Sequence, residues 1–156
     1  MNQYLIAFLK LVKPVNWEDF MDSKQRTSSA VLDTFFAPAE RATKEQLERE
    51  VANIASSSVV RGLVQSVAGL LAILNDKRQV VSVNQEMLSH LGVENISDIL
   101  GLRIGDVLGC EHASEGPAGC GTTKHCRSCG AALATVSAMK KEEPIERTCA
   151  LSVDHG

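Results

Sequence analysis

Four cysteines fall within twenty residues in the order C-x9-C-x5-C-x2-C: Cys110, Cys120, Cys126 and Cys129. Thiolates spaced this way can hold zinc or an iron–sulfur cluster, or cycle between dithiol and disulfide. Cys126-Arg-Ser-Cys129 spans a tight turn, which brings two sulfurs within reach of one metal. It leads directly into Gly130–Lys141, an alanine-rich stretch that reads as a helix closed by two lysines. The helix N-terminus offers partial positive charge and free N–H groups, which lower the pKa of thiols placed there. Gly116, Pro117, Gly119 and Gly121 let the backbone fold Cys110 and Cys120 back onto the pair. His112 and His125 lie inside the same segment and can each replace a sulfur as a ligand.

Spacing alone leaves the chemistry open. The plant-type iron–sulfur run is C-x4-C-x2-C with a fourth cysteine downstream. Here the run is C-x5-C-x2-C and the fourth cysteine lies upstream. Structural zinc sites usually carry two C-x2-C pairs, whereas this chain has one pair and two distant cysteines. A dithiol–disulfide switch needs only two of the four, and inert packing needs no partner at all. A responsive centre favours iron–sulfur over zinc. Cys149 stands apart and reads as a small core residue in a strand.

Composition narrows the classes. A chain of 156 residues has room for one ordinary domain and an extension. An apolar fraction of 44% with 22% charged residues is that of a soluble globular protein. The net charge of −3, with one Trp and one Tyr, gives neither a basic footprint for nucleic acid nor a base-stacking platform. The apolar run Tyr4–Val12 is broken by Lys10 and is too short to span a bilayer. It lacks the flanks of a secretory signal. A cytoplasmic setting is expected, in which thiols stay reduced.

The elements that must position the cysteines read as follows. Residues 1–37 form an N-terminal segment with a short amphipathic helix and a polar stretch. A helix is predicted over 38–69, with Pro38 as its start signal and Thr43-Lys-Glu-Gln46 as a capping box. Its apolar stripe runs through Leu47, Val51, Ile54, Val60, Leu63, Val64, Val67 and Leu71, and Ala55–Ser58 shifts its register. The stripe packs either on its own domain or, over residues 39–71, in a homodimer. Leu70–Leu74 and Gln79–Val83 around Asn75–Arg78 read as a β-hairpin. Gln85–Leu91 is a short helix closed by Gly92, and Ile96–Leu100 another closed by Gly101. Gly105 and Gly109 bracket an irregular segment. Pro144–Val153 alternates apolar and polar residues as a half-buried strand does.

This order, and above all the stretch LLAILNDKRQVVSVNQEMLSHLGVENISDILGLRIGDVLG, resembles a PAS domain of the bacterial sensor histidine-kinase type. Asn75-Asp76 would mark the hairpin turn, and Leu91-Gly92 and Leu100-Gly101-Leu102 the hydrophobic-glycine steps. The turn lacks the usual glycine, although a type I turn accepts Lys77-Arg78. The resemblance implies an α+β fold: an antiparallel sheet with flanking short helices over 70–156, preceded by the helical extension and carrying a Cys-rich insert at 109–130. A PAS sheet has five strands and this chain supplies three. The sheet is therefore expected to be incomplete, through a partial chain or completion by another. By the same resemblance the chain is a cytoplasmic sensory input module without catalytic motifs, and so not itself an enzyme, coupled to a downstream kinase or output domain. It would sense redox state, oxygen or metal through a centre on Cys110, Cys120, Cys126 and Cys129. The alternatives are a zinc-stapled interaction domain and a metal-free dithiol switch. A thiol oxidoreductase is disfavoured because no strand precedes Cys126.

Overall fold

A computed structural model describes residues 33–152. The amphipathic helix expected within 1–37 lies outside the described residues. The capping box forms as its sequence predicts: Thr43 Oγ1 accepts the Gln46 N–H at 3.3 Å, and Gln46 Oε1 accepts the Thr43 N–H at 2.9 Å. It starts helix α1, Lys44–Ser56. The helix thus begins at Lys44 and not at Pro38. The carbonyls of Pro38, Ala39 and Glu40 accept hydrogen bonds from Arg103, so this stretch is a strap across the domain instead of a first helical turn. Ser57 ends α1 in extended backbone, and its hydroxyl caps helix α2, Ser58–Ser66. That break is the register shift seen in the apolar stripe. Thr43→Ala removes the reciprocal cap and is expected to cost about 1 kcal/mol. Urea unfolding followed by circular dichroism would check it, and an unchanged midpoint would refute it.

Strands β1 (Ala72–Leu74) and β2 (Val80–Val83) pair antiparallel with a bulge after Ile73. The Asn75 side chain organises the turn by accepting the N–H groups of Lys77 and Gln79 at 3.0 and 2.9 Å. Arg78 takes the left-handed position where a glycine would ordinarily sit, with φ 65°. A side chain there costs about 1 kcal/mol. The guanidinium is what offsets it, since it reaches the Pro38 carbonyl across the strap.

The outer edge of β2 is covered by the chain that follows the next two helices. Val80 N–H donates to Leu102 O, and Gly101 N–H to Val80 O, both at 2.8 Å. Helix α3, Gln85–Leu91, is capped by Asn84 and closed by Gly92 in left-handed backbone, as expected. A 3₁₀ turn spans Ile96–Asp98 and a one-turn helix α4 spans Ile104–Val107, where an irregular segment was expected. Val80, Val83, Met87, Leu91, Ile99, Leu102 and Val107 close over one another as the core. Helix α5 covers Gly130–Lys141, the residues its sequence predicts.

The molecule is thus α+β with a two-stranded antiparallel sheet among the described residues. The strand expected at Pro144–Val153 does not form over 144–152, which runs without ladder bonds and is largely exposed. A strand needs a neighbour for its N–H and C=O groups. Here the segment rests instead on the start of α5: a Cβ on Gly130 would collide with the Thr148 carbonyl. Glu111 N–H donates to Ser152 O at 3.0 Å and fixes its far end. No helix among the described residues is long and apolar enough to cross a membrane.

Candidate functional site: the cysteine loop

The loop between α4 and α5 is built on backbone bonds to three other segments. Phe35 and Ala37 donate their N–H groups to Thr122 O and Gly121 O at 3.0 and 2.9 Å, so the strap runs alongside residues 121–122. Asp106, at the end of α4, accepts the Cys120 N–H at 3.0 Å and the Arg103 N–H at 3.2 Å. Gly105 has to be glycine. A Cβ there would lie 2.6 Å from Cys120 Sγ and 3.5 Å from Cys110 Cβ, so Cys120 packs straight onto its backbone.

The sulfurs occupy distinct environments. Cys126 is buried, and its Sγ meets the Gly121 N–H at 3.2 Å and the Thr123 hydroxyl at 3.3 Å. Cys120 is enclosed; burial, then the charge of Asp106, pushes its thiol up to about 12 despite a backbone hydrogen bond from Gly105. Burial also raises Cys110. Cys129 sits at the N-cap of α5, and its Sγ lies 3.6 Å from the Sγ of Cys149. Burial, with Cys129 beside it, raises the Cys149 thiol.

Cys149 is therefore an exposed thiol facing the cluster and not a core residue in a strand. Its place in an alternating stretch concealed it, because the partner that defines it lies across the tail-to-helix contact. The sulfurs of Cys129 and Cys149 lie at van der Waals distance. A tetrahedral zinc–thiolate site holds its sulfurs roughly 3.8 Å apart. Among the described residues the one trio of candidate ligand atoms within 4.8 Å of each other is His112, Glu115 and His125, not a set of sulfurs. Cys110, Cys120, Cys126 and Cys129 share the loop, and a single ion would have to draw them closer.

Three arginines converge beneath the loop. Arg103, 1% exposed, donates through Nη1 to the carbonyls of Ala118 (3.2 Å) and Cys120 (3.1 Å). Its Nη2 reaches Pro38, Ala39 and Glu40 at 3.3, 3.1 and 2.9 Å. Arg41 donates to Gly101 O, Ala118 O and Asp106 Oδ2 at 3.0, 2.9 and 3.3 Å. Arg78 lies over Gly121, where a Cβ would come 3.4 Å from its Nε. Burial pushes Arg103 down to about 9, which leaves it charged at neutral pH. Three guanidiniums thus gather near one carboxylate, Asp106, which pairs with Arg41, so positive charge is in excess beside the cysteines. Sequence carried no sign of this, since the three residues are far apart along the chain. Arg78, Arg103 and Cys120 also line a cavity of about 20 Å³ beside Ala132 and Val136 of α5, room for about one water.

Comparison with protein-family models, with curated proteins and with solved structures gives no match for this chain.

Proposed function

We propose that this chain is a PAS-type sensory input module for bacterial signal transduction, acting through a thiolate centre on the cysteine loop. The observation that carries this reading is the charge balance. An excess of positive charge against a cluster of cysteines, with Arg103 fully buried, is costly unless an anion faces it. Thiolates holding a metal or cluster supply that anion. Cys110, Cys120, Cys126 and Cys129 would hold it, with Cys149 beside Cys129. An iron–sulfur cluster would supply an electron-accepting group responsive to redox state or oxygen, and zinc a clamp responsive to metal supply.

The route to an output follows from the strap. Arg103 ties Cys120 and Ala118 to Pro38–Glu40, and the strap continues directly into α1. Loosening the loop would free the strap and with it the seat of α1 and α2. Val59 and Leu63 of α2 are 70% and 62% exposed, apolar positions suited to a homodimer face whose equilibrium the loop would bias. In a cytoplasmic setting the thiols would be kept reduced, and a downstream kinase or output domain would read the change.

A metal-free switch is favoured by one further observation, the 3.6 Å separation of Cys129 and Cys149. Two thiols there could lose two protons and two electrons to hydrogen peroxide, which leaves as two waters, and form one disulfide. The test is a visible spectrum with elemental analysis on full-length protein purified without oxygen. Broad visible absorbance with stoichiometric iron, lost in Cys126→Ser and Cys129→Ser, is the expected result. Unchanged metal content and output in those variants would overturn the reading. Colourless protein with one zinc would make the loop a staple of an interaction domain. Metal-free protein that gains a Cys129–Cys149 crosslink with peroxide would leave the switch.

A further inference from the structure

On the outer face of the loop a second group of side chains converges without a sulfur. His112 and His125 stack with ring centroids 3.8 Å apart and planes 5° from parallel. Glu115 lies between their nitrogens. Its Oε1 is 2.7 Å from His112 Nδ1 and its Oε2 is 3.3 Å from His125 Nε2. One ligand atom from each of the three comes within 4.8 Å of the others, and Glu111 adds a carboxylate 3.5 Å from His112 Nε2.

From this geometry we infer that His112, Glu115 and His125 form a binding site for a divalent transition ion of the zinc, cobalt or nickel class. Two imidazoles and one carboxylate are the donor set such ions prefer over magnesium or calcium. Bonds of about 2.0–2.2 Å would hold the three atoms roughly 3.4 Å apart. Side-chain rotations that splay the two rings close that gap, and His112, Glu115 and His125 all reach solvent. The open side leaves room for a water as fourth ligand. Both rings already turn a nitrogen toward Glu115, and a shared ion requires them to splay out of the parallel stack so that each lone pair points at it.

The site lies across the loop. His112 and Glu115 come from the segment just after Cys110, and His125 from the 3₁₀ turn that carries Cys126. A bound ion therefore staples the two arms and restrains Cys110 relative to Cys126. This inference does not rest on a centre at the cysteines, because no sulfur is among its ligands.

The same three groups could stand as a hydrogen-bonded triad without an ion, so the test is a titration. Cobalt is added to reduced full-length protein and followed by visible absorbance, in parallel with zinc by calorimetry. The expected result is one equivalent whose ligand-field bands lack sulfur-to-cobalt charge transfer, weakened at least tenfold in Glu115→Gln and in His112→Asn. It persists in Cys126→Ser/Cys129→Ser, which separates it from any thiolate centre. Slower amide exchange over residues 111–127 on adding zinc is the second expected readout. Cobalt bound only with thiolate charge transfer would overturn the inference, as would titrations of His112→Asn and Glu115→Gln that match wild type. Should His112→Asn misfold, the partly exposed His125→Asn and Glu115→Gln decide the matter.

Discussion

Replacing Arg103 by methionine is expected to destabilise the protein by on the order of 5 kcal/mol. Methionine keeps the apolar stem and removes only the guanidinium. Five backbone carbonyls lose a donor at once, and those of Ala39, Glu40 and Cys120 are left with none, while Arg78 still reaches Pro38 and Arg41 still reaches Ala118. Each buried, unpaired carbonyl costs about 1–3 kcal/mol, reduced where water can enter. Against a total stability of roughly 5–15 kcal/mol that is enough to detach strap from loop. Arg103→Lys is expected to recover only part of the loss, because a point charge cannot serve two carbonyls on one side and three on the other. Chemical unfolding of the three proteins checks the ranking. Amide exchange at Phe35 and Ala37 should rise first, since their N–H groups donate to the carbonyls of Thr122 and Gly121. A stability within about 1 kcal/mol of wild type would show that the guanidinium is not the tie.

Arg103 also marks where local pattern stops being informative. The hairpin, α3 with its Gly92 cap, the break at Ser57 and α5 are set by residues close in sequence, and their patterns predict them. Thr43 and Gln46 were legible as a capping box for the same reason. The boundary at Pro38 was not, because its carbonyl is taken by a residue 65 positions away. Pro144–Val153 has the alternation of a strand, but alternation describes one face and not a partner edge. With β1 and β2 as the sheet, its backbone has nothing to pair with. The same logic divides the site. Four cysteines within twenty residues announce a centre, yet a sulfur pair at van der Waals distance involves Cys149, brought in by the tail. Residue types in the loop named His112 and His125 as stand-ins for sulfur, whereas folding sets them face to face around Glu115. The convergence of Arg41, Arg78 and Arg103 is purely tertiary. A carbonyl-rich loop attracts donors from wherever the fold can deliver them.

Relative to Cys120→Ala, metal-stripped wild-type protein should lose as much as about 4 kcal/mol of stability between about pH 9 and pH 12. An unfolded thiol releases its proton near pH 8.5–9. In the folded protein, burial and the neighbouring Asp106 hold the Cys120 proton until about pH 12. Below pH 9 both states carry it, and the full stability is present. Across the window the unfolded chain gives it up while the folded chain retains it, so each pH unit favours unfolding by about 1.4 kcal/mol. Arg103, depressed by its burial, works in the opposite sense over the same range. The comparison must therefore be a difference between wild type and Cys120→Ala, in which Arg103 is common to both. Urea midpoints at pH 8, 9, 10 and 11 in chelator would measure it. Parallel slopes for the two proteins would sink the assignment. Burial and Asp106 protect the sulfur, and the converging arginines keep it usable. At neutral pH Cys120 is a proton-bearing thiol, which is a poor nucleophile toward oxidants. A soft metal must displace that proton to bind, so its affinity should climb with pH through the same window. The excess of positive charge beneath the loop favours the thiolate once the metal is there.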